Sequence, residues 1–254
     1  MKKKILRGIA VLCSLACVVS VYQAAKIQYE YKQGEQEYSE LAGLLVSKTD
    51  SSIYVSQKEA PETSAPVDVD FDLLKEMNVE AVGWLYCEGT PINYPVVQSE
   101  DNSYYLNHLY DDQKNSSGAI FMDALNSPDL SDANTIIYGH NMKNGTMFAS
   151  LMNYESQKYY EKHPVMYYIT KDHSYRIDIF ASYETSGDSE AFTIFFDSEH
   201  TYGGYLQRIW GRSRIDTANI VPMTTADNIV TLTTCSYSFN NARYVVQGKV
   251  TPLN

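Results

Sequence analysis

From Val82 to Val246 the chain falls into eight short runs dominated by β-branched and aromatic residues, and this pattern constrains the fold more than any other feature. The runs are Val82–Cys87, Ile92–Val97, Ala119–Met122, Thr135–Tyr138, Val165–Thr170, Tyr175–Tyr183, Ile229–Thr233 and Tyr244–Val246, with Gly, Asn, Asp or Pro between them. Side chains of this kind pack well on a pleated surface, and the intervening residues are turn formers. Helical patterning is confined to Phe71–Met77 ahead of the first run and to Thr146–Met152, Ser156–Lys162 and Tyr202–Arg212 between later ones. Many short strands with few helices predict a mainly β domain with peripheral helices, its sheet closed or nearly closed into an eight-stranded barrel.

What precedes that domain differs in kind. Lys2, Lys3, Lys4 and Arg7 lead into an apolar stretch, Gly8 to Val21, which extends to Ala25. With Ile5 and Leu6 it approaches the roughly 20 residues needed to cross a bilayer, and the basic cluster marks its cytoplasmic end. A cleaved signal peptide is one alternative; a lipoprotein signal at Cys17 is another, although Ser14 stands where such signals usually carry Leu. Residues 26–47 have helix-forming composition interrupted by Gly34 and Gly43, and from Ser47 to about Asp70 the chain turns to Ser, Thr, Glu and Pro. The expected organisation is a basic tip and anchor at 1–25, a helical stalk and polar linker at 26–69, and a catalytic domain at 70–254. The orientation expected is a cytoplasmic N-terminus and an extracellular domain.

The net charge of −11 argues against a nucleic-acid partner, since binding phosphate backbones needs a basic face. Of four cysteines, Cys13 and Cys17 lie in the anchor, leaving Cys87 and Cys235 outside it. There is no CxxC pair, and the histidines are too scattered for a metal site; no cofactor is expected. A Cys87–Cys235 bridge, or two buried thiols, is the bland alternative to a reactive cysteine.

Cys235 ends the strand-like run Asn228-Ile-Val-Thr-Leu-Thr-Thr, and Arg243 opens the next. The thiolate is the nucleophilic form of cysteine, and a nearby cation stabilises it. Arginine holds its proton and presents a fork of donors suited to an oxyanion. If residues 236–242 join two paired strands, Cys235 and Arg243 share one end of the barrel. His140 terminates another apolar run, Thr135-Ile-Ile-Tyr-Gly-His140, where an imidazole can shuttle protons between amines. The bland readings are a solvated strand arginine and a capping or core histidine.

These residues resemble a known family, the sortases, which are membrane-anchored transpeptidases of Gram-positive bacteria. The likeness rests on Thr231-Leu-Thr-Thr-Cys235 with Arg243 downstream and on Tyr138-Gly-His140. It is closest to class B at Val82-Gly-Trp-Leu, Asn93-Tyr-Pro-Val-Val-Gln98, Asp101-Asn-Ser-Tyr-Tyr-Leu106, Gly118-Ala-Ile-Phe-Met-Asp123 and Gly145-Thr-Met-Phe148, and in a long helix near Thr201–Arg212. The resemblance covers roughly residues 71–250 and implies a sortase-type barrel with Cys235 as nucleophile, His140 as general acid and base, and Arg243 holding the substrate carbonyl or its oxyanion. It also implies that Asn102 orients His140, that Leu106, Tyr138 and Thr233 line a peptide groove, and that Ser236 is among the substrate-facing positions. Ser236 departs from class B members that carry an acidic residue there, and the Cys-to-Arg loop is shorter than in some relatives. The implied reaction cleaves a sorting peptide after Thr through a thioester and transfers it to an amine of a peptidoglycan precursor or a pilin. A hydrolytic cysteine protease uses the same residues, and an anchored, non-catalytic β-barrel that binds a partner is the reading from outside enzymes.

Overall fold

The computed structural model of the chain describes residues 2–49, 64–217 and 223–253. A long helix, α1 (Lys2–Leu45), runs into a two-stranded ribbon of β1 (Val46–Lys48) and β2 (Val67–Val69), followed by α2 (Phe71–Met77). The remaining strands are β3 (Ala81–Tyr86), β4 (Asn93–Val97), β5 (Ile120–Met122), β6 (Asn134–Tyr138), β7 (Val165–Ile169), β8 (Ser174–Ser186), β9 (Ile229–Cys235) and β10 (Ala242–Pro252). Helix α3 (Gln157–Lys162) precedes β7, and α4 (Glu199–Gly211) precedes β9.

The eight strands close into a barrel in the order β10-β8-β7-β3-β4-β5-β6-β9, as the sequence pattern leads one to expect. Two of its seams are parallel, β4 with β5 and β6 with β9; the others are antiparallel. Closure removes the exposed edges that an open sheet leaves unpaired. Pro95 sits in β4 just before pairing with β5 begins at Val96, so its missing N–H costs no bond on that side. Gly83 in β3 is required by close approach: a Cβ there would lie 2.3 Å from the buried ring of Tyr168.

One core fills the barrel around Trp84, Leu85, Tyr168, Ile177, Leu232 and Val246. A second cluster lies under α4, where Tyr202, Tyr205, Leu206 and Ile209 cover Phe180, Tyr183 and Val245. Ser198 caps α4 reciprocally with Thr201, which starts that helix three residues before the expected Tyr202. The stretch expected as a helix at Thr146–Met152 is instead a 3₁₀ turn at Ala149–Glu155.

Helix α1 has two different halves. Its N-terminal half exposes Ile9, Val11, Leu12, Leu15, Val18 and Val21, and an 18-residue window of mean hydropathy 1.9 makes it long and apolar enough to cross a membrane. The C-terminal half departs from the expectation of a stalk apart from the core. Tyr38, Leu41 and Leu45 are buried with the barrel core, each burial contributing about 1.5–3 kcal/mol. Gly34, which weakened the helical reading, lets the helix pack against Ser117, since a Cβ there would stand 2.6 Å from the Ser117 hydroxyl. Most of the polar linker expected between Ser47 and Asp70 lies outside the described residues.

Candidate active site

The parallel seam between β6 and β9 builds the site. Both strands are rich in β-branched residues, and they run side by side from Asn134↔Ile229 to Tyr138↔Thr233. Beyond β6 the chain stays attached to β9: the Gly139 amide donates to the Thr233 carbonyl at 3.1 Å, and the Asn141 side-chain amide donates to the Cys235 carbonyl at 2.9 Å. His140 lies between those two ties, and so is held beside the Cys235 end of β9. On the other flank, β10 pairs antiparallel with β9, and Arg243 is the cross-strand partner of Cys235. Directly opposed residues in such a ladder have Cβ atoms about 4.5–5.5 Å apart. The fold therefore brings together the three residues singled out in the sequence, all partly exposed.

The imidazole has a defined protonation pattern. Nε2 of His140 lies 2.6 Å from the Leu106 carbonyl oxygen. A carbonyl only accepts, so Nε2 carries a hydrogen, which leaves Nδ1 as the nitrogen free to take up or release a proton. Arg243 donates from Nη1 to the Ala242 carbonyl at 3.1 Å and forms no ion pair among the described residues, so its fork is not tied up by a carboxylate.

Asn102 is placed differently from expectation. Its amide donates to Asp123 at 2.8 Å and its oxygen accepts from the Ala124 amide at 2.8 Å, so both ends of the side chain are engaged by partners other than His140. The atom that orients His140 is the Leu106 carbonyl. Asp123, buried, also accepts from the Tyr138 hydroxyl at 2.7 Å and the Leu125 amide at 3.0 Å. Burial and then the neighbouring Asp123 carboxylate push the Tyr138 phenol up, against the opposing pull of the Arg243 charge. By register, Tyr138 pairs with Thr233 on one flank of β9 and Arg243 with Cys235 on the other.

Leu106 is 43% exposed beside His140, while Thr233 is buried. Ser236 is buried as well, its hydroxyl donated to Glu184 of β8, which also accepts from Ser238 at 2.6 Å. These bonds, the larger from Ser236, hold the Glu184 carboxyl below its usual range. Glu184 thereby fastens the start of the 236–241 turn that separates Cys235 from Arg243. Sequence reasoning missed Glu184, Asn141 and Asp123. Asn141 was findable as the neighbour of His140, whereas Glu184 is more than 50 positions from the residues it holds.

Cys87 is also free, but buried: its sulfur lies 3.5 Å from the Val165 carbonyl oxygen, and burial pushes its thiol up. It forms no bridge with Cys235, which removes the disulfide alternative. Among the described residues, no three His, Cys, Asp or Glu side chains gather at metal-ligand spacing.

A barrel of this topology, with a partly exposed cysteine, histidine and arginine at one end, matches the sortase domain family over residues 85–251. The chain belongs to the sortase family of cysteine transpeptidases, whose role is the anchoring of surface proteins to the cell wall. Within it the likeness is to class B. The chain is 38% identical to sortase B of Listeria monocytogenes serovar 1/2a over 205 residues, covering 79% of this chain and 82% of that one. It is 30% identical to sortase B of Staphylococcus aureus strain NCTC 8325 over 253 residues, covering 98% and 97%. The solved Staphylococcus aureus sortase B–substrate complex superposes with a TM-score of 0.75 at 29% identity, covering 89% of this chain and all of that one.

Proposed function

We propose that Cys235, His140 and Arg243 carry out a two-step acyl transfer on a sorting peptide of an exported protein. The observation that carries this reading is the cross-strand pairing of Arg243 with Cys235, next to a histidine held at both sides to β9. Nδ1 of His140 takes the proton of the Cys235 thiol, the thiolate attacks the carbonyl carbon of the Thr in the sorting motif, and Arg243 donates to the oxyanion that forms. As the tetrahedral intermediate collapses, the C–N bond breaks and His140 gives its Nδ1 proton to the departing amine, leaving a thioester on Cys235. An acceptor amine then attacks the thioester; His140 takes a proton from it, and Cys235 leaves as thiolate. The thioester conserves the energy of the cleaved bond, so no nucleotide is consumed. Leu106 and Tyr138 border the peptide, Thr233 sits behind the nucleophile on the same face of β9, and Ser236 acts through its tie to Glu184.

The acceptor is an amine of a peptidoglycan precursor or a pilin. The lysines and Arg7 at the start of α1 stay on the cytoplasmic side, which puts the barrel outside the cell. Anchor 1–25, connecting segment 26–69 and catalytic domain 70–254 remain the units of this reading, with the second half of α1 packed on the third unit.

The deciding experiment is intact mass of the protein after mixing with peptides of the Asn-Pro-Gln-Thr and Leu-Pro-x-Thr-Gly kinds. An adduct truncated after Thr, absent in Cys235→Ala, is expected. Added triglycine should convert that adduct to a glycine-extended peptide. Free acid alone, with triglycine present, would identify a hydrolase; no adduct with either peptide would count against the acyl-transfer reading.

A further inference from the structure

We propose that Tyr38, on the helix continuous with the membrane-length segment, is a positioning residue for His140, making the C-terminal half of α1 part of the active-site scaffold. The inference rests on the reading of His140 as the acid–base residue.

The connection is short. The Tyr38 hydroxyl donates to the Gly118 carbonyl at 2.8 Å in a buried setting. Gly118 has a φ of +59°, and a Cβ on it would lie 2.6 Å from the Tyr105 carbonyl oxygen, 2.9 Å from that of Leu106 and 3.0 Å from His140 Cδ2. Gly118 therefore packs closely against both the imidazole and the carbonyl that receives its Nε2 hydrogen, where no side chain would fit. The following amide, Ala119, donates to the Tyr105 carbonyl at 2.9 Å, fixing the same two strands of chain against each other. Any displacement of Gly118 thus moves one or both ends of the His140–Leu106 hydrogen bond. Tyr38 is the side chain from α1 that holds Gly118 in place.

Helix α1 grips this region elsewhere too. The Asn115 amide donates to the Glu30 carbonyl at 3.1 Å, and Gly34 packs on Ser117. On the other side of His140, Asn144 donates to Glu35 at 3.3 Å. Tyr38 also packs edge-on against Tyr94, whose hydroxyl accepts from the Met147 amide at 3.0 Å. Residues 115–118 and 144–147, the chain segments that flank His140, are both tied to one face of α1. Burial, the largest influence, pushes the Tyr38 phenol well up, so it remains a donor at any working pH.

The test uses the full chain in detergent micelles, with ¹⁵N-labelled histidine and His140→Ala to assign the ring signal. In the wild type, the Nε2 hydrogen of His140 should be a slowly exchanging downfield resonance. Tyr38→Phe, which removes one oxygen, should speed that exchange about tenfold and lower kcat roughly three- to tenfold with KM within twofold. Tyr202→Phe is the control: it loses a hydroxyl bonded to the Ala133 and Asp227 carbonyls under α4, and should reduce stability while leaving both readouts unchanged. If Tyr38→Phe lowers only the melting temperature, as Tyr202→Phe does, the role is structural and the proposal fails. Should Tyr38→Phe not fold, Gly34→Ala presses on Ser117 from the same helix and must move the ring exchange; unchanged exchange there overturns the proposal. Full activity of His140→Ala would instead remove the acid–base reading, while the exchange measurement would still decide the positioning claim.

Discussion

Arg243 stands directly across the β9–β10 ladder from Cys235, so the cation and the sulfur are set by backbone hydrogen bonds and not by a flexible loop. The turn between them is itself tied down: the Ser236 amide donates to the Ala242 carbonyl at 3.0 Å, closing the ladder immediately beyond the pair. A donor held this way reaches a developing oxyanion with little reorganisation.

Arg243→Lys should therefore keep the charge and lose the reaction. An ammonium on a flexible stem does not reproduce a planar fork, and the loss in kcat/KM should be on the order of 10². Steady-state transpeptidation with the peptide that forms the adduct measures it; a loss below threefold would show that the fork is not what matters.

The two thiols beyond the apolar half of α1 should differ sharply towards alkylating agents. Cys235 is partly exposed, whereas Cys87 is buried and its thiol is pushed up by that burial. Native protein treated briefly with iodoacetamide should carry the label on Cys235, with Cys87 at least about 10² slower, because only an accessible thiolate reacts. Peptide mapping by mass reads both sites, and equal labelling would contradict the burial of Cys87.

Glu184→Gln should loosen the turn after Cys235 in a pH-dependent way. The Glu184 carboxyl is depressed in the folded protein by the Ser236 and Ser238 hydroxyls. A depressed folded value contributes stability that is present above the unfolded value of about 4.3 and lost as pH falls through the folded one. At pH 6–7 the variant should be less stable by roughly 1 kcal/mol, and the gap should close below about pH 4. Melting temperatures of both proteins across that range test it; a gap independent of pH would assign the effect to shape.

Asp123→Ala should be costly although Asp123 touches none of the three catalytic candidates in a hydrogen bond. It accepts from the half-buried Tyr138 and from the exposed Asn102 and Leu125, and a buried donor left without a partner costs about 1–3 kcal/mol, whereas exposed ones turn to water. Chemical denaturation should show a loss of about 1–3 kcal/mol. Asp123→Asn, which keeps an acceptor, should lose less; identical losses would argue against the network.

The barrel was legible because each strand carries its own signal. Runs such as Ile229–Thr233 and Val165–Thr170 announce themselves through β-branched and aromatic residues, and turn formers mark their ends. The adjacency of Cys235, His140 and Arg243 was legible for a related reason: each sits at the end of such a run, where a closed sheet delivers side chains to a rim. The placement of Asn102 was misread because a short polar side chain has several carboxylates and carbonyls in reach, and only the packed structure shows that Asp123 and Ala124 claim it.

Local pattern thus determined the strands, the apolar first half of α1 and the residue types of the site, since those depend on neighbours along the chain. Tertiary structure alone decided that Leu106 orients His140, that Glu184 holds Ser236 and that Tyr38 reaches Gly118. The last two contacts span 52 and 80 positions, and the first 34. No periodicity encodes such pairs; they exist only once barrel closure and the docking of α1 have brought distant backbone within hydrogen-bonding distance.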